Sequence, residues 1–179
     1  MLFRIGQKVV YPNHGVAVIE EIDTRNIDGR QDEYYLLRVR FNNSIVLVPI
    51  RNAEEVGLRR PIANNQCQEL LKVLAEDFCA PPSEWKNRFR EFSDKMRTGD
   101  LFSVADVLKT LTFLNRQKPL SFREKRMLDR ARYLVISELA LVYNQSEANI
   151  EPRVDIALRG ACDQHQRAFV KAGGSHGSH

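Results

Sequence analysis

Hydrophobic and polar positions follow two different patterns along the chain, and the change falls near residue 60. Residues 1–60 contain short apolar stretches and alternating positions separated by turn-forming residues, which is typical of β-strands. From residue 61 onward, apolar residues recur at every third or fourth position, which is typical of amphipathic helices. The pattern predicts an α+β protein in which a small, bent antiparallel β-sheet module is followed by an all-α helical domain.

Turn signals divide the first region into strands. An Asp-Gly pair at 28–29 is a two-residue hairpin signal. Segment 34–41 alternates, so one face is predicted to carry Tyr35, Leu37, Val39 and Phe41. The next strand, 44–50, is apolar on both faces, and two interpretations remain open. Either Ile45 and Leu47 complete the core of a tiny barrel, or they form part of a docking surface.

Capping residues mark where the helices are expected to begin. A short helix is predicted over 68–75. Ser83 is expected to cap the next helix and Asp100 the one after it, because short polar side chains can accept hydrogen bonds from free N–H groups. Ser121 and Glu124 have the spacing of a capping box and open a long helix.

The end of the chain completes the predicted domain organisation. A last helix is expected from about Ser146 to Gln166, and the glycine-rich end after it has no core-forming residues. We therefore expect a β module over residues 1–60, a helical domain over 61–166 and a disordered tail over 167–179.

Composition narrows the class of protein. Of the 179 residues, 28% are charged and 43% are hydrophobic, as in soluble globular proteins. No apolar run approaches the roughly 20 residues that span a bilayer, and no signal-peptide core is present. A cytoplasmic protein with no membrane partner is expected. Cys67, Cys79 and Cys162 are irregularly spaced, which predicts free thiols and neither a disulfide framework nor a zinc site.

Residue patterns of known catalytic sites are absent from the sequence. The four histidines lack Cys or carboxylate neighbours at metal-ligand spacing. The sequence also contains no phosphate-binding glycine loop and no nucleophile elbow. An enzyme is therefore not expected, and neither a cofactor nor a metal ion is predicted.

Trp85 has the most informative surroundings in the sequence. It is the single tryptophan, and it lies near the start of a predicted helix beside Lys86, Arg88 and Arg90. A flat apolar ring among cations can stack on a base while the cations contact phosphates. The alternative is structural, because helical spacing also places it on a stripe typical of a core face. That stripe comprises Trp85, Phe89, Phe92 and Met96.

Positive charge is concentrated in the helical region. Residues 82–130 hold 12 Lys and Arg against 7 Asp and Glu, whereas residues 1–60 hold 9 against 8. Such a zone either forms a solvated helical face or contacts nucleic acid. A second basic group at the start of the long helix comprises Arg123, Lys125, Arg126 and Arg130.

Ten motifs occur along the chain in a specific order and spacing. They are 3–12, 15–16, 35–39, 48–49, 56–59, Trp85, 99–100, 124–128, 131–132 and 137–140. Taken together, they resemble CarD/CdnL-type bacterial transcription regulators of the CarD/CdnL/TRCF family. Their order and spacing are more specific than any single motif, and the resemblance covers residues 1–143 in register.

The resemblance implies a fold, two partners and a mechanism. The N-terminal module would be Tudor-like and would bind the RNA polymerase β subunit through the surface at Arg25, Leu47 and Pro49. The helical domain would contact promoter DNA at the upstream edge of the transcription bubble, without strong sequence specificity. Trp85 would wedge into the minor groove there and stabilise the open complex. Backbone contacts would come from Lys86, Arg88, Arg90, Lys125 and Arg126.

Two positions depart from the family pattern, and two other functions remain open. Leu47 stands where some relatives carry a polymerase-contacting arginine, so apolar contact is expected there. Asn87 stands where some relatives are basic, which shifts DNA contact toward Arg88 and Arg90.

The other functions are a polymerase-binding adaptor whose helical domain recruits another protein, and a DNA-binding protein that acts without polymerase.

Overall fold

The computed structural model describes residues 2–173 and places strands and helices in the predicted order. The β part comprises β1 (Lys8–Tyr11), β2 (Gly15–Ile27), β3 (Arg30–Val39) and β4 (Ile45–Pro49), followed by a 3₁₀ turn (Ile50–Asn52). The helices are α1 (Asn64–Ala75), α2 (Trp85–Arg97), α3 (Leu101–Gln117), α4 (Phe122–Tyr143) and α5 (Glu147–Gly173). The predicted α+β class is confirmed.

The four strands form one antiparallel sheet in chain order. The β2–β3 hairpin turns at Asp28 and Gly29, whose φ angles of 51° and 77° are both positive. Positive φ at both positions is what a two-residue type I′ turn requires. A register shift between Ile19 and Glu21 marks a β-bulge in β2, and a bulge of this kind bends a sheet. The predicted hairpin and the bent antiparallel sheet are therefore confirmed.

Alternation along β3 decides which side chains form the core of the β module. Tyr35, Leu37 and Val39 are buried, as predicted. The Tyr35 hydroxyl accepts a hydrogen bond from the backbone N–H of Phe3 at 2.9 Å. The prediction for Phe41 is wrong, because β3 ends at Val39 and Phe41 lies in the following turn with 52% of its surface exposed.

The positions of Ile45 and Leu47 on the edge strand β4 decide between a barrel core and a docking surface. Val48 is buried in the core of the sheet, whereas Ile45 is 52% exposed and Leu47 is half-buried. Ile45 and Leu47 alternate with Val48, so they lie on the opposite face of the strand. They do not complete a barrel core. The edge of the sheet, with its apolar side chains, is the remaining candidate for docking.

The helical domain has its own core, centred on α3. Both α2 and α4 pack against α3, and α1 packs against α5. Phe92 and Met96 are the buried residues of α2, so this helix is fixed by its second half while its first turn is left free of core packing. The buried apolar residues of α3 include Val104, Val107, Leu108 and Leu111.

The helix starts confirm two predicted caps, correct one predicted cap and correct one predicted helix start. The Asp100 side chain accepts hydrogen bonds from the first turn of α3, and Ser121 with Glu124 forms the predicted capping box of α4. Ser83 is not a cap, because α2 begins at Trp85 with Glu84 at the N-cap position and no side-chain capping bond. The first helix begins at Asn64, before the predicted start at residue 68.

The last helix is longer than the sequence pattern predicted. α5 runs to Gly173, so residues 167–173 are helical and their assignment to a disordered tail is wrong. Good helix formers such as Arg167, Ala168 and Lys171 continue the helix until the first glycine after them. The rest of the predicted tail, 174–179, lies outside the described residues.

Arg59 joins the β module to the helical domain. Its backbone pairs with Val10 of β1, with N···O distances of 2.8 and 3.1 Å. Its guanidinium donates to both carboxylate oxygens of Glu138 on α4, at 2.7 and 2.9 Å, and to the Gly99 carbonyl at 2.8 Å. Glu138 also accepts from the backbone N–H of Ile62 at 2.9 Å. The Arg59–Glu138 ion pair therefore fixes the sheet against α4.

Close packing between Gly99 and Pro12 gives a first testable prediction. Gly99 has a φ of +74°, and a Cβ atom there would lie 2.7 Å from Cγ of Pro12. We expect Gly99→Ala to lower the free energy of unfolding by about 1–3 kcal/mol, because it adds a steric clash to a strained φ. Urea unfolding measures the change. Gly29→Ala is the matched control, since Gly29 has a φ of +77° and open space around it.

The control separates the two causes. Gly29→Ala reports the cost of positive φ alone, so the excess destabilisation in Gly99→Ala reports the packing against Pro12. Equal destabilisation in the two variants would show that this packing between the halves contributes nothing to stability.

Candidate nucleic-acid interface

Trp85 is an exposed residue at the first position of α2. Its surface is 52% exposed, whereas Phe92 and Met96 further along the helix are buried. The core interpretation therefore holds for the later members of the stripe and is wrong for Trp85. Lys86 Nζ lies 6.0 Å from the centroid of the Trp85 ring. An exposed indole beside a cation can stack on a base next to a phosphate.

Arg88 is held by an ion pair and is not a free surface cation. Its Nη2 and Nε donate to Oε1 of Glu124 at 2.6 and 3.1 Å, and its Nη1 donates to the Pro82 carbonyl at 3.2 Å. The side chains of Arg88 and Glu124 are only 14% and 7% exposed. This pair joins the start of α2 and the preceding segment to the start of α4. Arg88 thereby positions Trp85, and the phosphate contact that the family resemblance implies for Arg88 would require breaking this pair.

The electrostatics of Glu124 are set by its neighbours. Burial raises the pKa of its carboxyl, but hydrogen bonds from Arg88 and Ser121 outweigh burial and hold the pKa below its ordinary value. Glu124 therefore stays ionised near neutral pH. A buried, ionised carboxylate without its guanidinium partner is strongly destabilising, so the ion pair that connects α2 and α4 is expected to stay formed.

The other four cations predicted to contact DNA are exposed. They are Lys86, Arg90, Lys125 and Arg126. Within residues 2–173, none of these four has a carboxylate oxygen within 4.0 Å. Arg126 lies over the ring of Phe122, with 5.7 Å between Cζ and the ring centroid. Their charges are available to a phosphate backbone without the loss of an ion pair.

Sequence reasoning missed Phe122 as a second exposed aromatic residue of this region. Phe122 is the first residue of α4 and is 74% exposed. It lies two positions before Glu124, so the Arg88–Glu124 pair brings the starts of α2 and α4, with their exposed rings, to the same end of the domain. The sequence could have indicated this exposure, because Phe122 directly follows the predicted cap Ser121 and side chains in the first turn of a helix are often exposed.

The segment before α2 is anchored by residues that sequence reasoning also missed. Oδ1 of Asp77 lies 2.6 Å from Nδ1 of His165 on α5, and the His165 ring stacks on Phe78 with centroids 4.3 Å apart. Hydrogen bonds from the backbone of Phe78 and from His165 lower the pKa of Asp77. Lys109 of α3 donates to the carbonyls of Val73 and Glu76 at the end of α1. These contacts fix the start of the segment that leads to Trp85.

The residues expected to contact polymerase share one face of the sheet. Arg25, Leu47 and Pro49 pair with Asp32, Leu36 and Tyr34 of β3, respectively. These three β3 positions alternate with the core residues, so the predicted contact residues all lie on the face away from the core. Arg25 is exposed and forms an ion pair with Asp23 at 2.8 Å, and Leu47 and Pro49 are half-buried on the edge strand.

The remaining chemistry of the described residues is structural. Cys67 and Cys162 are buried thiols and Cys79 is exposed. Burial, with a contribution from Glu138, raises the pKa of Cys67 to about 11. Across residues 2–173 no group of three or more His, Cys, Asp and Glu is placed to hold a metal ion. In the same part of the chain, no helix is long and apolar enough to cross a membrane.

Comparison with known proteins identifies a domain in each half of the chain. Residues 3–62 match the CarD-like/TRCF RID domain, and residues 69–155 match the CarD C-terminal domain. YdeB of Bacillus subtilis (strain 168), which is named as a candidate transcription factor, is 28% identical over 150 residues, or 84% of this chain and 98% of the relative. These are transcription-factor and interaction domains, not enzyme domains.

The Tudor-like sheet and the helical domain that follows it define the class of protein as a two-domain transcription regulator. The chain belongs to the CarD-type family, with both of its characteristic domains matched in order.

Proposed function

We propose that the protein binds the β subunit of RNA polymerase through its β module and stabilises the promoter open complex through its helical domain. Trp85 contacts DNA at the upstream edge of the bubble. The observation that carries the proposal is the exposure of Trp85 at the first position of α2, close to Lys86 and Arg90, which form no ion pair within residues 2–173. An exposed ring held by the Arg88–Glu124 pair can enter a DNA groove without first unfolding any core.

To stabilise the open complex, the protein needs only to bind the open promoter more tightly than the closed one. Promoter melting is a reversible equilibrium, and a protein that binds the open form more tightly shifts it by its differential affinity. One stacked aromatic contributes roughly 1–3 kcal/mol, which corresponds to about five- to 150-fold in an equilibrium constant. Weak phosphate contacts become effective when the polymerase-bound module holds the helical domain beside the fork.

The polymerase contact is assigned to the outer face and edge of the sheet. Arg25, Leu47 and Pro49 lie on that face. Among the described residues β4 is an edge strand that pairs only with β3, so another strand could add to it. Leu47 offers apolar contact where an arginine would offer an ion pair. In this proposal residues 1–60 form the polymerase-binding unit and residues 61–166 the DNA-contacting unit. Contact with promoter DNA would bring the protein to the nucleoid.

The lifetime of promoter open complexes tests the proposed role of Trp85. Complexes formed by cognate RNA polymerase are challenged with competitor DNA, without addition, with the wild-type protein and with Trp85→Ala. The wild-type protein is expected to lengthen the lifetime, and Trp85→Ala to lose most of that effect because it removes the stacking surface. Ile156→Ala is a matched truncation, since Ile156 is 67% exposed on α5, and it is expected to act as wild type.

Binding measurements separate this function from the two alternatives. If neither the wild-type protein nor Trp85→Ala changes the lifetime while both bind polymerase, the protein is an adaptor. If it binds duplex DNA tightly without polymerase, with a steep dependence on salt, it acts as an independent DNA-binding protein. The first result contradicts stabilisation of the open complex by Trp85, and the second contradicts the dependence of DNA contact on polymerase.

A further inference from the structure

An open groove lies between α2 and α4, beside the surface already described. It has a volume of about 1100 Å³ and is bounded at one end by Asn13 and Phe41 of the β module. Because α2 and α4 both pack on α3, the groove is part of the fold and not a gap between mobile segments. The α2 wall includes Phe89, Arg90, Asp94 and Arg97, and the α4 wall includes Arg123, Arg126, Asp129, Arg130 and Tyr133.

The groove is strongly cationic. Five arginines and two aspartates line it, which gives a net charge of +3. One of the arginines, Arg97, is paired with Asp94. In the part of the chain that the structure describes, the other four arginines have no carboxylate within 4.0 Å. At the end near the β module, burial and then the charge of Arg130 lower the pKa of His14, as expected in a positive potential.

Aromatic side chains line the same groove and mark its entrance. Phe41, Phe89 and Tyr133 contribute to the walls, with Phe41 and Tyr133 4.6 Å apart between centroids. Trp85 precedes Phe89 by one helical turn on the same face of α2. Phe122 precedes Arg126 by one turn on α4. The groove therefore begins between the two exposed rings and runs toward the β module.

A groove that combines cations with aromatic rings has the chemistry of a site for one strand of nucleic acid. Proteins that hold single strands combine a positive groove for the backbone with rings on which unpaired bases stack. Phe89 and Tyr133 among the lining residues are rings on which unpaired bases could stack.

We propose that the groove between α2 and α4 holds an unpaired DNA strand that enters beside Trp85, with its phosphates on Arg123, Arg126 and Arg130. The inference rests on the proposed function for the source of the strand, which is the melted promoter fork. Stabilisation of the open complex then has two parts. Trp85 contacts the fork, and the groove binds an unpaired strand, which exists only after the promoter has melted.

Fluorescence anisotropy with two DNA probes tests the groove directly. One probe is a blunt duplex, and the other is the same duplex with a six-nucleotide oligothymidine tail. The full-length wild-type protein is expected to bind the tailed probe at least about fivefold more tightly, the effect of one stacked base. Arg123→Gln/Arg130→Gln is expected to lose this preference. It should also reduce the salt slope for the tailed probe by about 1.4, or about 0.7 for each phosphate that is no longer neutralised.

A second double variant controls for net charge. Arg159→Gln/Arg167→Gln removes the same charge from exposed positions of α5 and is expected to keep the preference for the tail. Thermal unfolding of both double variants verifies that they are folded. Photocrosslinking from 4-thiothymidine in the tail gives an independent readout, with the wild-type crosslinks expected on α2 and α4.

Three outcomes would overturn the inference. They are a wild-type protein with no preference for the tail, crosslinks confined to other elements, and equal weakening on blunt and tailed probes in Arg123→Gln/Arg130→Gln. The last would show that the groove arginines contact duplex backbone. Open-complex lifetime is measured separately. A shortened lifetime in Trp85→Ala without any preference for the tail therefore rejects the groove and retains the proposed function of Trp85.

Discussion

Replacing Glu138 with glutamine is expected to lower the free energy of unfolding by about 3 kcal/mol at neutral pH. Glu138 is 2% exposed and accepts three hydrogen bonds, two from Arg59 and one from the backbone of Ile62. Glutamine keeps the shape of the side chain but leaves the Arg59 guanidinium without a countercharge. The expected loss is at the lower end of the range for buried pairs, because the Arg59 side chain is 27% exposed.

Urea unfolding compares this variant with a surface control. Glu151→Gln removes one of the two carboxylate partners of Arg132, which keeps its ion pair with Asp155. The side chains of Arg132 and Glu151 are 28% and 53% exposed, so this variant is expected to cost less than about 1 kcal/mol. If the two substitutions cost the same, the Arg59–Glu138 pair does not lock the domains together. A double-mutant cycle with Arg59→Gln then measures the coupling, which is expected to be large because the two charges are in direct contact.

Sequence patterns predicted the elements that depend on local chemistry. The hairpin at Asp28-Gly29 follows from two positive φ angles, and the caps Asp100 and Ser121 follow from local hydrogen bonds. Alternation also identified Tyr35 and Leu37 as core residues. Each of these features is decided within a few residues of the chain, which is why periodicity and turn chemistry are informative about them.

Features decided by distant partners were not predictable in the same way. The sequence shows that Arg88 is a cation, but not that Glu124, 36 positions later, binds it. Arg59 and Glu138 are separated by 79 positions. Periodicity assigned Trp85 to a stripe with Phe92 and Met96, and only the packing of the domain shows that the stripe is buried from its second half onward. A pattern identifies a face, whereas tertiary structure decides what covers it.

Arg88 and Arg90 are neighbours with opposite roles in this structure, and their alanine variants are expected to differ in stability. Arg88→Ala is expected to lower the free energy of unfolding by about 3 kcal/mol at pH 7, because Glu124 becomes a buried charge without its partner. Arg90→Ala, at an exposed site where no carboxylate of residues 2–173 lies within 4.0 Å, is expected to cost less than about 0.5 kcal/mol. Urea unfolding of the two variants measures the contrast.

Measuring the stability difference between wild type and Arg88→Ala at several pH values tests whether the unpaired charge of Glu124 causes it. In the wild-type protein the pKa of Glu124 lies below its ordinary value of 4.5, so its stabilisation is complete above pH 4.5 and is lost as pH falls through the folded pKa. Without Arg88, burial is the largest remaining influence and raises the pKa, so the carboxyl is protonated earlier on acidification. The gap between wild type and Arg88→Ala is therefore expected to narrow as pH falls from 7 toward 4. A gap that stays constant over this range would show that Arg88 stabilises α2 through packing and not through Glu124.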